Sequence, residues 1–311
     1  MSTTEILLPV RDYDLAATLD SGQVFRWRRI ENSWHGVVGR HSVWLTQTDH
    51  GLHAAAAPVA DWGFLRHFLQ TEVDLAAILK TFPNDDPMRT AVASCRGLRL
   101  LRQDPWECLA SFILSSTKQI VQIRQIVALL CERFGERLAP QPPVGRAVLC
   151  PPPSANEHVL VHHAGAHGVA RPTTPTSFPS PQKIATCTEA ELRACKMGFR
   201  APSLLNAARR VAEGKLDLEK IRALDCGAAR AELMTLRGVG GKIADCVLLF
   251  AYGFDAAFPV DVWIERALQE LYFPRRRAHE KRLRRFAATH FGPHAGYAQQ
   301  YLFHYMRRKR G

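Results

Sequence analysis

An α+β fold, with an N-terminal antiparallel β-sheet subdomain followed by a mostly α-helical domain, is predicted by three features of the sequence. Residues 21 to 56 alternate short aromatic or β-branched runs (Val24 to Trp27, Trp34 to Val38, Val43 to Thr46) with Gly and Asn turns, the pattern of a meander. Beyond about Asp61 the apolar residues shift to helical spacing, and past residue 181 the chain reads as helix almost throughout. Helix start and stop signals also recur, from Asp104-Pro105 to Gly135 and from Thr188 to Gly198.

Taken in order, the first unit spans residues 1–102, and within it Pro83 and Pro87 mark a break between helices. The second spans 103–311. It opens with Asp104 as N-cap, Pro105 at the first helical position and Glu107 placed for a capping box, with Trp106, Leu109, Phe112 and Ile113 on one face. A second helix follows the Ser115 to Gln119 region, turns Ile120, Ile123, Val127 and Leu130 inward, and stops near Gly135. Residues 140–181 are Pro-rich and interleaved with Gly, His and Thr, which predicts a long loop or insertion. Thr188 and Glu191 then form a second capping-box pattern, and Gly198 interrupts it.

The bulk numbers narrow the function classes. The chain of 311 residues is 47% hydrophobic, enough for more than one core. Its apolar runs, such as Val247 to Tyr252, fall well short of the roughly 20 residues of a membrane span, and Met1 to Val10 lacks the pattern of a secretory signal. The expectation is an intracellular protein without a membrane partner. The eight cysteines stand singly, without the close pairs of a zinc or redox motif, and none follows Cys246, so neither a metal nor a cysteine-ligated cluster in the C-terminal region is expected. No cofactor is implied. Net charge is +12, and Tyr272 to Gly311 holds eleven Lys and Arg against Glu280 alone. Such a block is either a solvated basic tail or the footprint of a polyanion such as nucleic acid.

The chemistry is concentrated in Leu236 to Cys246, LRGVGGKIADC. A helix from Ala228 to Leu236 ends, Gly238, Val239 and Gly240 make a tight hairpin, and a new helix begins near Lys242. Two glycines let backbone approach a phosphate, and the helix start offers N–H groups and a positive dipole end. The plain alternative is a turn that merely reverses the chain. Lys242 is flanked by apolar Ile243 and Ala244, and desolvation together with the dipole favours the free amine. Nineteen residues on, FPVDV places Asp261 where a helix from Val262 to Tyr272 begins. There it is an N-cap, and a cleft-edge N-cap is rigid and held ionised by backbone donors. Cys246 lies four residues from Lys242, on the same helical face, as do Gln299 and Phe303 on the last helix.

LRGVGGKIADC followed by FPVDV resembles the helix-hairpin-helix glycosylase superfamily. Together with SGQVFRW at Ser21 to Trp27, DPWECLASFILSS at Asp104 to Ser116, MGFRA at Met197 to Ala201 and GYAQQYLF at Gly296 to Phe303, it resembles the 8-oxoguanine DNA glycosylase/AP lyases. The resemblance covers nearly the whole chain outside residues 140–176. It implies a monomeric enzyme that binds double-stranded DNA, flips out an oxidised purine and removes it, with Lys242 as nucleophile and Asp261 as carboxylate partner. It assigns the base pocket to Gly22 (through its carbonyl), Cys246, Gln299 and Phe303. DNA contacts fall to Gly238, Val239, Gly240, Lys118 and Gln119, with Phe199 as the wedge and Arg200 at the orphaned base.

The chain departs from that pattern where Thr117, Lys118 and Gln119 replace a run of Asn, Gln122 an Arg, Phe199 a Tyr and Trp263 a His. A bidentate Arg contact discriminates bases by about 1–3 kcal/mol, so selectivity for the opposite base is expected to relax. Two other readings remain open at this level: a glycosylase for another damaged base, or a non-catalytic helix-hairpin-helix DNA-binding protein.

Overall fold

The structure, a computed structural model, describes residues 4–116, 118–138, 175–275 and 278–310. Up to residue 174, the expected insertion lies outside the described residues.

Strands β1 (Thr4–Leu8), β2 (Arg28–Ile30), β3 (Ser33–Val38), β4 (His41–Thr48) and β5 (Gly51–Ala57) form one antiparallel sheet in the order β1-β5-β4-β3-β2. The runs at Trp34 and Val43 lie in β3 and β4. Strands β1 and β5 were not among the expected runs. Strand β1 is an edge with only Leu8 buried, so it is held by its ladder to β5 and shows no burial alternation. Strand β5 is Ala-rich, yet Leu52, Ala54 and Ala56 alternate inward with nothing bulky to announce it.

Val24 to Trp27 is not a strand, a correction to the sequence reading. Gln23 explains why: its amide donates to the carbonyls of Thr18 (3.0 Å) and Arg99 (2.8 Å), and its Oε1 accepts from Leu101 N (2.8 Å). Gln103 in turn donates to Gln23 O at 2.7 Å. Side-chain amides thus satisfy main-chain groups that a ladder would otherwise pair. The segment crosses between two cores instead. Trp27 lies flat on Gly36, where a Cβ would come within 2.4 Å of the ring, while Phe25 meets Phe112 edge-on at 5.6 Å.

The helices are α1 (Leu15–Asp20), α2 (Gly63–Leu69), α3 (Leu75–Leu79), α4 (Asp86–Ser94), α5 (Pro105–Leu114), α6 (Ile120–Phe134), α7 (Pro181–Ala185), α8 (Glu189–Leu192) and α9 (Ala201–Ala212). They continue with α10 (Leu218–Ile221), α11 (Cys226–Met234), α12 (Gly241–Val247, extended by a π-helical turn, Leu248–Tyr252), α13 (Val262–Tyr272), α14 (Glu280–His290) and α15 (Ala295–Arg310). The expected break lies between α3 and α4, with Pro83 inside it and Pro87 in the first turn of α4 behind the N-cap Asp85, where a missing N–H costs nothing.

Asp104 caps α5 by accepting from Glu107 N at 2.8 Å. The Glu107 carboxylate does not complete the expected box but pairs with buried Arg26 at 3.1 Å. The second box does form, with Thr188 N donating to Glu191 at 2.7 Å and Glu191 N to Thr188 Oγ1 at 3.2 Å.

One core lies on the sheet, under α2. The larger one surrounds α5, where Cys108 to Leu114 are all buried. Truncating a residue in such a core costs about 2–5 kcal/mol, which makes α5 a stiff floor. α5 packs against α6, α9 and α12, and α15 packs on α4 and α13. The floor and the last helix thereby frame the region around Lys242.

Candidate active site

The hairpin is seated by its first glycine. Gly238 has φ +80°, and a Cβ there would stand 2.6 Å from Ser203 Oγ in α9, the helix that follows the Phe199 turn. Val239 is buried and donates from its N–H to Leu236 O at 3.1 Å, whereas Gly240 caps α12 with open space beside its Cα.

Helix α12 is clamped from behind by Asp245, whose carboxylate takes Arg230 of α11 at 3.0 Å and Arg284 of α14 at 3.6 Å. Burial pushes Asp245 up to about 6, with the two arginines pulling the other way. Gly241 makes room for this clamp, since a Cβ would sit 2.7 Å from Arg230 Nη2.

Lys242 is half-buried. Its Nζ is 3.4 Å from Ser115 Oγ and 5.1 Å from the centroid of the Phe112 ring. The ammonium therefore rests on the end of α5 and does not extend into solvent.

Asp261 caps α13 by accepting from Trp263 N at 3.0 Å and Ile264 N at 2.9 Å. It lines one cavity of about 40 Å3 together with Gly22, Phe112, Lys242, Cys246, Phe250, Pro259, Gln299, Gln300 and Phe303. The two catalytic candidates and all four pocket candidates converge on it. A cavity of this size holds little more than a water or two, so a purine is admitted only if a wall moves.

Cys246 is a thiol: burial pushes it up to about 12, against the pull of Lys242 and with Asp261 and Asp245 adding to the rise. Gln299 is buried, and its Oε1 has no hydrogen-bond partner among the described residues. A buried acceptor without a partner costs about 1–3 kcal/mol, which a ligand donor would return. Gln300 fixes the far wall by donating to Ser21 O at 2.9 Å.

Phe199 is 65% exposed at the end of a turn with positive φ at Lys196 and Gly198, as a wedge needs to be. Arg200 is nearly enclosed, its guanidinium 4.3 Å from the Phe199 ring centroid. Gln119 is exposed and Lys118 half-buried at the start of α6. Gln122 is occupied there, its Oε1 accepting from Gln119 N at 3.2 Å. Thr117 lies outside the described residues.

The basic block is only partly a solvent face. Arg284 turns in to Asp245, Arg308 donates to Ser94 O and Lys309 pairs with Glu270, while Lys281, Arg282 and Arg285 stay exposed on α14.

Sequence reasoning missed the cavity roles of Phe112, Phe250, Pro259 and Gln300, and the contact of Ser115 with Lys242. Phe112 and Ser115 are three apart on α5 and face the same way, the one signal that could have paired them. Among the described residues no group of His, Cys, Asp or Glu is arranged to hold a metal, and no helix is long and apolar enough to cross a membrane.

The chain matches the family described as "8-oxoguanine DNA glycosylase, N-terminal domain" over residues 5–109 and the "HhH-GPD superfamily base excision DNA repair protein" family over 110–292. A "Probable N-glycosylase/DNA lyase" of Methanothermobacter thermautotrophicus is 31% identical, covering 97% of this chain and 96% of the relative. The chain is a member of the 8-oxoguanine DNA glycosylase/AP lyase family.

Two solved structures agree with this glycosylase in fold. One is MBOgg1 in complex with a low-affinity DNA ligand (TM-score 0.85, 29% identity, 99% of this chain and 96% of that one). The other is the Clostridium acetobutylicum 8-oxoguanine glycosylase/lyase with DNA containing cytosine opposite 8-oxoG (TM-score 0.81, 29% identity, 96% and 93%).

Because Asn caps helices about as well as Asp, Asp261→Asn in this glycosylase should change unfolding stability by less than about 0.5 kcal/mol. Its single-turnover excision rate should fall roughly 100- to 1000-fold, since the charge facing the cavity is gone. Thermal melting and a gel assay check the two halves. A large loss of stability with an unchanged rate would make Asp261 a cap and nothing more.

Proposed function

We propose that the protein excises 8-oxoguanine from duplex DNA inside the cell and then cleaves the strand at the resulting abasic site. The Lys242 amine attacks C1′ of the extruded nucleotide, and the base departs with the electron pair of the C1′–N bond. The C1′–O4′ bond then breaks as O4′ takes a proton, leaving a Schiff base that acidifies the C2′ proton; loss of that proton breaks the C3′–O bond and expels the 3′ phosphate by elimination. Asp261 stabilises the positive charge that develops on the sugar and assists the proton transfers.

Gln299 offers its unpartnered carbonyl oxygen to the purine edge, Phe303 and Cys246 supply flat walls, and Gly22 offers its main-chain carbonyl. Gly238, Val239 and Gly240 hold the DNA backbone, Phe199 fills the stack, and Lys118, Gln119 and Arg200 lie toward the opposite strand. The helical unit from residue 103 carries the chemistry, and the unit 1–102 contributes Gly22. The observation that carries this reading is the convergence of Lys242, Asp261 and the pocket residues on one cavity.

The test is a panel of duplexes carrying 8-oxoguanine, an alkylated base, a deaminated base or no lesion, read for base release and strand cleavage. Excision should be strongest with 8-oxoguanine. Release of only another base would replace the substrate, and no release from any duplex would leave a DNA-binding module. On the same duplex, affinity should fall steeply between 50 and 200 mM salt, by about 1000-fold or more if six or more phosphates are neutralised. A flat salt response would remove α14 and the hairpin from the interface.

A further inference from the structure

We infer that Arg307 is a specificity-determining residue of the base pocket, donating a hydrogen bond to a carbonyl oxygen of the extruded oxidised purine; this rests on the excision of that base proposed above. Arg307 follows Phe303 by one helical turn on α15, and its guanidinium lies over the Phe303 ring, 5.6 Å from the centroid. Its Nη1 comes within 3.6 Å of where a Cβ on Gly22 would stand. Arg307 lines the neighbouring groove with Asp14, Asp20 and His304 and reaches toward the cavity at the edge where Gly22 presents no side chain.

Asp20 holds it in place through the main chain, its carbonyl accepting from Arg307 Nη1 at 3.1 Å, while the Asp20 carboxylate is taken by Arg124 at 2.7 Å. A guanidinium carries five N–H donors in a planar fork, more than this one acceptor uses.

The electrostatics favour a substrate acceptor. Desolvation pushes the Arg307 pKa down, with neighbouring Arg124 adding to the fall and Asp20 and Asp261 opposing it. A cation held beside a sugar that turns positive raises the barrier unless a negative partner arrives at the same moment. The departing base is that partner. As it leaves with the bonding pair, charge accumulates on its ring and carbonyl oxygens, and a donor already in place stabilises it without reorganising. The cavity's own charged groups, Lys242 and Asp261, serve the sugar, which leaves Arg307, 3.6 Å from the Gly22 Cβ position, as a charged donor at that edge for the base.

The experiment compares two substrates that differ in this one feature: a duplex with 8-oxoguanine and a duplex with a pre-formed abasic site. For Arg307→Ala, the ratio of excision to abasic-site cleavage should fall about 10- to 100-fold, with Arg307→Lys intermediate. Loss of both activities in proportion would mean that Arg307 grips a phosphate or supports the fold, and would overturn the inference. So would an unchanged ratio. Should the alanine variant aggregate, Arg307→Met, which keeps an apolar stem over Phe303 and removes every donor, is read for the same fall in ratio. Failure of the unaltered enzyme to excise 8-oxoguanine would bring down the functional reading itself; normal excision with indifferent Arg307 variants would bring down this inference alone.

Discussion

Lys242→Gln should form no covalent adduct when borohydride is added to enzyme and 8-oxoguanine duplex, and should lose at least about 1000-fold in excision rate, the scale on which removing a nucleophile acts. The geometry makes the reading clean. The Nζ touches Ser115 at 3.4 Å and faces the Phe112 ring at 5.1 Å, contacts that a half-buried residue gives up for less than about 1 kcal/mol. The clamp of Asp245 on Arg230 and Arg284 does not involve the lysine and should keep α12 in place. Melting temperature should therefore hardly move while chemistry disappears. Glutamine is neutral and of similar reach, so the change isolates the amine. An adduct that persists in this variant would assign the Schiff base to another lysine. Absence of an adduct with the unaltered protein would remove covalent catalysis altogether.

The parts of this structure that were legible in the sequence are those set by short-range chemistry. Asp104-Pro105 and Thr188 to Glu191 cap helices because a carboxylate or hydroxyl accepts from an N–H two or three residues away, information held within one turn. Asp261 belongs to the same class, and helix α13 begins and ends where the residues said, at Val262 and Tyr272. What failed to show depends on partners far along the chain. Val24 to Trp27 alternates like a strand, yet Gln23 bonds to Thr18, Arg99 and Leu101 and leaves no ladder for it to join. Glu107 has the spacing of a cap partner, but Arg26, 81 residues upstream, competes successfully for its carboxylate.

The site divides along the same line. Lys242 and Cys246 were paired by helical spacing, as were Gln299 and Phe303. Ser115, Phe250 and Arg307 carry no motif, and each enters the cavity's surroundings through packing of α5, α12 and α15 that no local pattern encodes. Arg307 was counted with the basic block, where its charge suggested phosphate; only its approach to Gly22 and Phe303 separates it from that group.

Gly22→Ala should be the most damaging conservative change in the N-terminal unit, cutting 8-oxoguanine excision by roughly 100-fold, the scale on which misplacement by about 1 Å acts. Two effects combine at this position. The residue holds φ +81°, where an L side chain is strained by about 1–2 kcal/mol. The added Cβ would also stand 2.8 Å from Ile120 Cδ1 and 3.4 Å from Phe303 Cε1. The Ile120 methyl end can shift, but the Phe303 ring is a wall of a cavity of only about 40 Å3, and displacing it closes space that the purine needs. The loop cannot relax to share the strain, because Ser21 O accepts from Gln300 and Gln23 is tied to three main-chain groups. Cleavage of a pre-formed abasic site, which has no base to seat, should fall far less than excision. That asymmetry, read on the two duplexes with the melting temperature alongside, distinguishes an obstructed pocket from a destabilised protein. An equal fall in both activities together with a drop of many degrees in Tm would place Gly22 in the fold and take it out of the pocket.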